Sequence, residues 1–259
     1  MIPFALTIAG SDSSGGAGIQ ADLKTFAAHQ VFGTSAITCI TAQNPGEVIA
    51  ISPVPPEIVF AQIKAVFDWH PVPAVKTGML FSADIIKQVV RALRQFSPQW
   101  LVVDPVMVAS SGAVLLEQAA IQSLTRDLLP IARLITPNTR EAEILADMPI
   151  KDYESVRRAA KKIHDRFHTA VLLKGGHLPV DQESCDYFYD GLEDFDFRAS
   201  FLPISDVHGT GCTLSAAITA GLATGKSLKQ SIQQAKDYIT QSLQSAVIVQ
   251  KRHTLRHFR

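Results

Sequence analysis

The sequence predicts a three-layer α/β fold, a mostly parallel central sheet with helices on both faces. Short apolar runs alternate with stretches of helical period along the whole chain, and such alternation builds parallel sheets through helical crossovers. With 259 residues, 47% of them hydrophobic, the chain is ample for a large core. The polar residues with chemical potential fall at strand ends or at a glycine–helix junction, where open parallel sheets place their ligands.

The elements follow in order. Phe4–Ala9 reads as a buried strand, stopped by the Gly- and Ser-rich loop Gly10–Gly18. Ile19, Leu23 and Phe26 share one face of a helix predicted over 19–29. A strand over 35–41 ends at Ala42-Gln43-Asn44-Pro45-Gly46, and Pro55-Pro56 opens a helix to about 69. A strand over 73–77 runs into Lys76-Thr77-Gly78-Met79-Leu80. Ser82 caps a helix whose apolar face is Ile85, Ile86, Val89, Val90 and Leu93. Trp100–Asp104 is a strand ending on a carboxylate, followed by a helix over 117–127 and a strand over 132–136. A polar helix over 152–167 precedes the strand 170–174, which ends in Lys174-Gly175-Gly176-His177. Tyr187–Tyr189, Asp190-Gly191 and Phe195–Phe197 read as a hairpin with a tight turn. Helices are expected over 213–223 and 227–249. The chain is expected to form one domain over 1–259, with residues 250–259 a loose basic tail.

Composition narrows the function. Lys and Arg together number 24, as do Asp and Glu, so the net charge is zero. That argues against nucleic acid or an anionic membrane as partner. No apolar run reaches the length of a membrane span, and no signal peptide is visible, so a cytoplasmic protein is expected. Cys39, Cys185 and Cys212 are odd in number and widely spaced, which fits neither a disulfide framework nor a cysteine metal site.

Several stretches carry candidate chemistry. Gly209-Thr210-Gly211-Cys212 leads directly into a helix. Unpaired N–H groups and the helix dipole make such a junction an anion site, where a thiolate at Cys212 would be stabilised. The competing reading is a plain helix start with a buried cysteine. Gly16-Ala17-Gly18-Ile19-Gln20-Ala21 matches a dinucleotide fingerprint, but the acidic residue expected about 20 positions on is missing. Gln43 can donate and accept, which suits a heterocycle edge, although Asn44-Pro45-Gly46 also makes a simple turn. Asp104 fits either a Mg²⁺ or phosphate role or a loop cap. Asn138 and Glu141 have capping-box spacing, and also suit Mg²⁺ and its waters. Lys174, at a strand end beside glycines, could reach phosphates. Gly221–Ser227 imitates a phosphate loop, but it is one residue short between its glycines and follows a helix, so it reads as an interhelix turn.

Seven segments in order resemble the ribokinase-like small-molecule kinases, and within them the bacterial hydroxymethylpyrimidine/phosphomethylpyrimidine kinases of thiamine biosynthesis. They are 9–22, Thr41–Asn44, Lys76–Leu80, Asp104–Met107, Thr136–Asn138 with Glu141-Ala142, Leu173–His177 and His208–Ser215. The resemblance implies ATP and Mg²⁺ as cofactors, a pyrimidine alcohol as substrate, and phosphorylation first of the alcohol, then of the monophosphate. It implies Gly209, Thr210 and Gly211 as the anion hole, with Cys212 assisting deprotonation of the reacting hydroxyl or only positioning it. Gln43, Gly10, Ala17, Met79 and Val106 would line the ring pocket, with Asp22 in the same shell. Lys174, Asn138 and Asp104 would serve the phosphates, and Glu141 with Asp104 would hold Mg²⁺ through waters. A homodimer is compatible with it. Val207 departs from the Thr common before the His, and the tail lacks the usual glycine–proline–His ending. A pyridoxal kinase is the nearest rival; a nicotinamide oxidoreductase and a non-catalytic sensor are others.

Overall fold

The central strands carry small and branched apolar residues on both faces, as expected of a sheet covered on both sides. The structure, a computed structural model, describes residues 2–107, 116–175, 183–204, 207–249 and 252–257. In order it has β1 (Phe4–Asp12), α1 (Gly18–Ala28), β2 (Phe32–Asn44), β3 (Glu47–Pro53), α2 (Pro56–Trp69), β4 (Ala74–Thr77), α3 (Ala83–Phe96) and β5 (Trp100–Val103). Then come α4 (Gln118–Ser123), β6 (Leu134–Ile135), α5 (Thr139–Ala146), α6 (Tyr153–Phe167), β7 (Ala170–Leu173), β8 (Glu183–Tyr189) and β9 (Asp194–Ser200). Last are α7 (Thr210–Ala223), α8 (Leu228–Gln244), β10 (Val247–Val249) and β11 (Arg252–Thr254).

Nine strands form one sheet in the order β3-β2-β1-β4-β5-β6-β7-β8-β9. From β2 to β7 every pairing is parallel; β3, β8 and β9 are antiparallel additions at the two edges. β1 lies between β2 and β4, so the chain leaves its carboxyl end in one direction and returns on its other side. That reversal opens a crevice beyond the strand ends.

Period-two alternation sorts the strand residues between two cores. Val75, Val103, Ile135 and Val171 face one cluster with Ile86, Val89 and Ile163 of α3 and α6. Ala74, Val102, Leu134 and Leu172 face the other, with Leu214, Ile218 and Ile232 of α7 and α8. The Ser82 cap is formed, and every residue of the predicted α3 face is buried. α7 is buried from Thr213 to Leu222, which its Ala- and Gly-rich sequence permits.

Four local expectations are corrected. β3 lies beyond the Asn44-Pro45-Gly46 turn and was not foreseen, because its half-exposed residues give a weak pattern. The helix expected over 117–127 is α-helical only to Ser123 and then widens into a π-turn over Leu124–Leu128. α8 stops at Gln244, because Val247–Val249 pairs with Arg252–Thr254. The described part of the tail is packed, not loose: Leu255 and His257 are buried. The Tyr238 hydroxyl donates to the His257 carbonyl (2.7 Å), and His257 Nε2 lies 3.0 Å from Thr213 Oγ1 in α7. The tail therefore braces the first turn of α7. The phosphate-loop imitation is an interhelix turn as expected, with Gly225 at φ +82° and Ser227 capping α8. Among the described residues no helix is long and apolar enough to cross a membrane.

Removing residues 255–259 discards the burial of Leu255 and the two hydrogen bonds of His257. Chemical denaturation is expected to show a loss of about 3–5 kcal/mol, from roughly 2 for the side chain and roughly 1 for each bond.

Candidate active site

The first turn of α7 lies at the carboxyl end of the parallel strands. Gly209 is its N-cap at φ +83°, and a Cβ there would stand 1.8 Å from the Gly16 carbonyl oxygen. Only glycine permits this turn, and the turn brings the helix entrance against the Gly10–Gly18 loop. The first N–H groups of an α-helix lack intrahelical acceptors and carry partial positive charge, so this end suits an anion.

Beside it lies a buried ion pair. Lys174 Nζ is 2.8 Å from Asp104 Oδ1, which also accepts from Thr136 Oγ1 at 3.4 Å. Ser215 Oγ, one turn into α7, donates to Asp104 Oδ2 at 3.3 Å. A Cβ on Gly211 would be 3.1 Å from Lys174 Nζ, so a glycine is what lets the ammonium lie against the helix entrance. Burial pulls Lys174 down, but Asp104 and Glu141 outweigh it, and the group is held as a cation. Gly175 N donates to Asp186 Oδ1 (3.0 Å), which ties the backbone after Lys174 to the buried Asp186–Lys236 pair.

Asn138 and Glu141 form the capping box that their spacing suggests. Asn138 Oδ1 accepts from Glu141 N (2.9 Å), and Glu141 Oε2 accepts from Asn138 N (2.8 Å). Burial pushes the Glu141 carboxyl up to about 7 against the pull of Lys174, with Asp104 pushing the same way as burial. Among the described residues no three His, Cys, Asp or Glu side chains stand together as a metal cage. Asp104 is engaged by Lys174, so any role of it toward Mg²⁺ runs through waters.

A second ion pair lies deeper. Asp22 binds Lys76 Nζ through both oxygens at 2.7 Å and accepts from Thr7 Oγ1 at 2.6 Å. Asp22 has no exposed surface, and both its oxygens are engaged by Lys76. The thiolate expected at Cys212 is corrected. Burial pushes the thiol up to about 11; Lys76 and the Gly18 N–H pull it down, while Asp22 and Asp104 push it further up. Cys212 is therefore a thiol at neutral pH, because burial, helped by two nearby carboxylates, outweighs Lys76 and the Gly18 N–H.

The other residues gather at the β1 and β2 ends. Gly10 N donates to the Met79 carbonyl (3.1 Å), which also accepts from Thr38 Oγ1 (2.7 Å). Ala17 N donates to Asp12 Oδ2 (2.7 Å). Gln43 has its backbone clipped by Ser13, whose hydroxyl donates to the Gln43 carbonyl (2.7 Å). The Gln43 amide nitrogen lies 3.2 Å from His208 Nε2, just before the Gly209 turn. Val106 sits half-buried, its N–H donating to the Asp104 carbonyl (2.8 Å). Gly176, His177 and Asp206 lie outside the described residues. Asp12, Lys76, His208 and Asp186 were given no role by sequence reasoning. The readable signal was slight: a lysine inside an apolar strand, and an Asp and a His flanking glycine turns.

A helix entrance set over a lysine and carboxylates, at the mouth of a doubly covered parallel sheet, defines a small-molecule kinase of ribokinase-like fold. The family model for phosphomethylpyrimidine kinase matches residues 12–257, and the chain belongs to that family. A hydroxymethylpyrimidine/phosphomethylpyrimidine kinase of Synechococcus elongatus is 47% identical over 259 residues, covering 99% of this chain and 98% of that one. A crystal structure of an ADP complex of Bacillus subtilis pyridoxal kinase superposes with a TM-score of 0.92 at 38% identity, covering 99% and 98%. The phosphomethylpyrimidine kinase of Clostridium difficile superposes at 0.82 with 43% identity, covering 93% and 99%. These likenesses leave no support for the nicotinamide reading; Gly16 and Ala17 instead donate their N–H groups to Asp12.

Two outcomes follow. Alkylation of Cys212 by iodoacetamide is expected to be slow at pH 7 and to rise about tenfold per pH unit toward 11, followed by mass spectrometry of the Cys212 peptide. Gly209→Ala is expected to reduce kcat by at least about 10²-fold in steady-state kinetics, since the turn cannot close and anion-hole donors are displaced.

Proposed function

We propose that the protein transfers the γ-phosphoryl group of ATP to 4-amino-5-hydroxymethyl-2-methylpyrimidine and then phosphorylates the monophosphate to the diphosphate, within thiamine diphosphate biosynthesis. The observation that carries this is the convergence of the α7 entrance, Lys174 and Asp104 at one end of the crevice, with Gln43, Gly10, Ala17 and Met79 at the other. Phosphoryl transfer needs positioning and charge neutralisation more than covalent help.

The Gly209–Cys212 N–H groups receive the charge that develops on the transferred phosphoryl group. Lys174 adds a fixed cation, and Asp104 with Thr136 and Ser215 keeps it aimed. Glu141 and Asp104 are the residues that would hold Mg²⁺, which would supply charge neutralisation on the phosphates. Gln43 reads the heterocycle edge, and Gly10, Ala17, Met79 and Val106 shape the ring pocket. Cys212, protonated at neutral pH, positions the hydroxymethyl oxygen. A pyridoxal kinase is the second reading, favoured by the TM-score of 0.92 to such an enzyme.

The test is incubation with Mg-ATP and either the pyrimidine or pyridoxal, with products identified by mass. Mono- and diphosphate of the pyrimidine are expected; phosphate on pyridoxal alone overturns the substrate assignment. Lys174→Met is expected to lower kcat by about 10²–10³-fold. Cys212→Ala is expected to keep kcat within about tenfold; a loss nearer 10²–10⁴-fold would instead mark it as the general base.

A further inference from the structure

We propose that His208, anchored by Asp12, orients the Gln43 side chain and thereby decides which pattern of donors and acceptors the ring pocket reads. The inference rests on the kinase reading and concerns the specificity of that same site. His208 Nε2 stands 3.0 Å from Asp12 Oδ2 and 3.2 Å from the Gln43 amide nitrogen. One imidazole nitrogen thus serves two partners, and its proton settles what each must be.

Asp12 is built to be an anion. Ser14 N (2.9 Å) donates to its Oδ1, and Gly16 N (3.1 Å) and Ala17 N (2.7 Å) donate to its Oδ2. Burial alone would push the carboxyl up, but the bonds from His208, Ser14 and Ala17 hold it well below the usual carboxylate range. An ionised carboxylate only accepts, so His208 Nε2 must carry a proton and donate to it. That nitrogen then has no lone pair for the Gln43 NH₂ group. The amide is satisfied only with its oxygen toward the imidazole. A half-turn about the terminal torsion exchanges oxygen and nitrogen at the same places. The 3.2 Å contact becomes N–H···O=C, with the proton shared between Asp12 and Gln43.

The consequence is chemical. With its oxygen turned to His208, Gln43 presents an N–H donor to the pocket and keeps one oxygen lone pair beside it. That edge matches a ring nitrogen acceptor next to an exocyclic amine, the amidine edge of an aminopyrimidine. A ring with an acceptor alone gains one bond there, not two. The backbone of Gln43 is held by the same loop: the Ser13 hydroxyl donates to its carbonyl (2.7 Å) and accepts from its N–H (2.9 Å). Asp12, through His208, and Ser13 beside it therefore hold the two ends of the reader, and His208 leads into the turn that opens the anion hole.

The test is a double-mutant cycle with a rescue, read as KM for the ring substrate and for ATP. His208→Ala is expected to raise KM for the aminopyrimidine about tenfold while moving KM for ATP less than about twofold. Gln43→Ala should do the same, and the double variant should be no worse than Gln43→Ala alone. His208→Gln places an NH₂ group where Nε2 stood, able to donate to both Asp12 and Gln43, and is expected to recover most of the loss. Thermal unfolding of each variant reports on folding. The proposal is overturned if His208→Ala leaves the ring KM within twofold, if its effect adds fully to that of Gln43→Ala, or if ring and ATP KM rise together without rescue by His208→Gln. If the wild type phosphorylates pyridoxal alone, the pyrimidine assignment fails by itself. The same cycle run on pyridoxal then decides the role of His208.

Discussion

Everything at the mouth of this sheet depends on charges held under the entrance of α7. Lys174 with Asp104, and Lys76 with Asp22, are buried pairs in a region where an isolated charge would be very costly. Buried pairs contribute little net stability, so their presence here is better explained by what they do to the space above them. They fix cations close to a helix terminus that already favours negative charge. A phosphoryl group in transit is the species such a field suits.

The fold makes that placement possible by simple means. Alternation along each strand sends one side chain to α3 and α6 and the next to α7 and α8. Toward and just past the strand ends the same alternation continues, but the residues become polar: Lys76 within β4, and Asp104 and Lys174 directly after β5 and β7. α7 can lie over them because its small side chains let it bury nearly all round, between α1 and α8. The packed tail, through His257 on Thr213, supports the first turn of α7.

Much of this was legible in the sequence. The strand–helix alternation gave the architecture, and the capping box at Asn138 was readable from spacing alone. The glycines at 209 and 211 announced a tight helix entrance. What escaped shares a cause: it depends on residues distant in sequence. The Asp22–Lys76 pair escaped because nothing local shows that the two residues, 54 positions apart, meet. The Cys212 thiolate followed from the helix end alone, whereas burial, with two carboxylates nearby, reverses the sign. The tail looked loose because its basic residues hide the two, Leu255 and His257, that are buried.

The central claim is that phosphoryl transfer is placed by the α7 entrance and Lys174. The most direct measurement is a crystal structure of the protein with a non-hydrolysable ATP analogue, Mg²⁺ and the aminopyrimidine. The account predicts the γ-phosphate on the N–H groups of Gly209–Cys212, within reach of Lys174, with the hydroxymethyl oxygen in line and the ring against Gln43. A γ-phosphate bound elsewhere, with the α7 entrance facing only solvent, would contradict it.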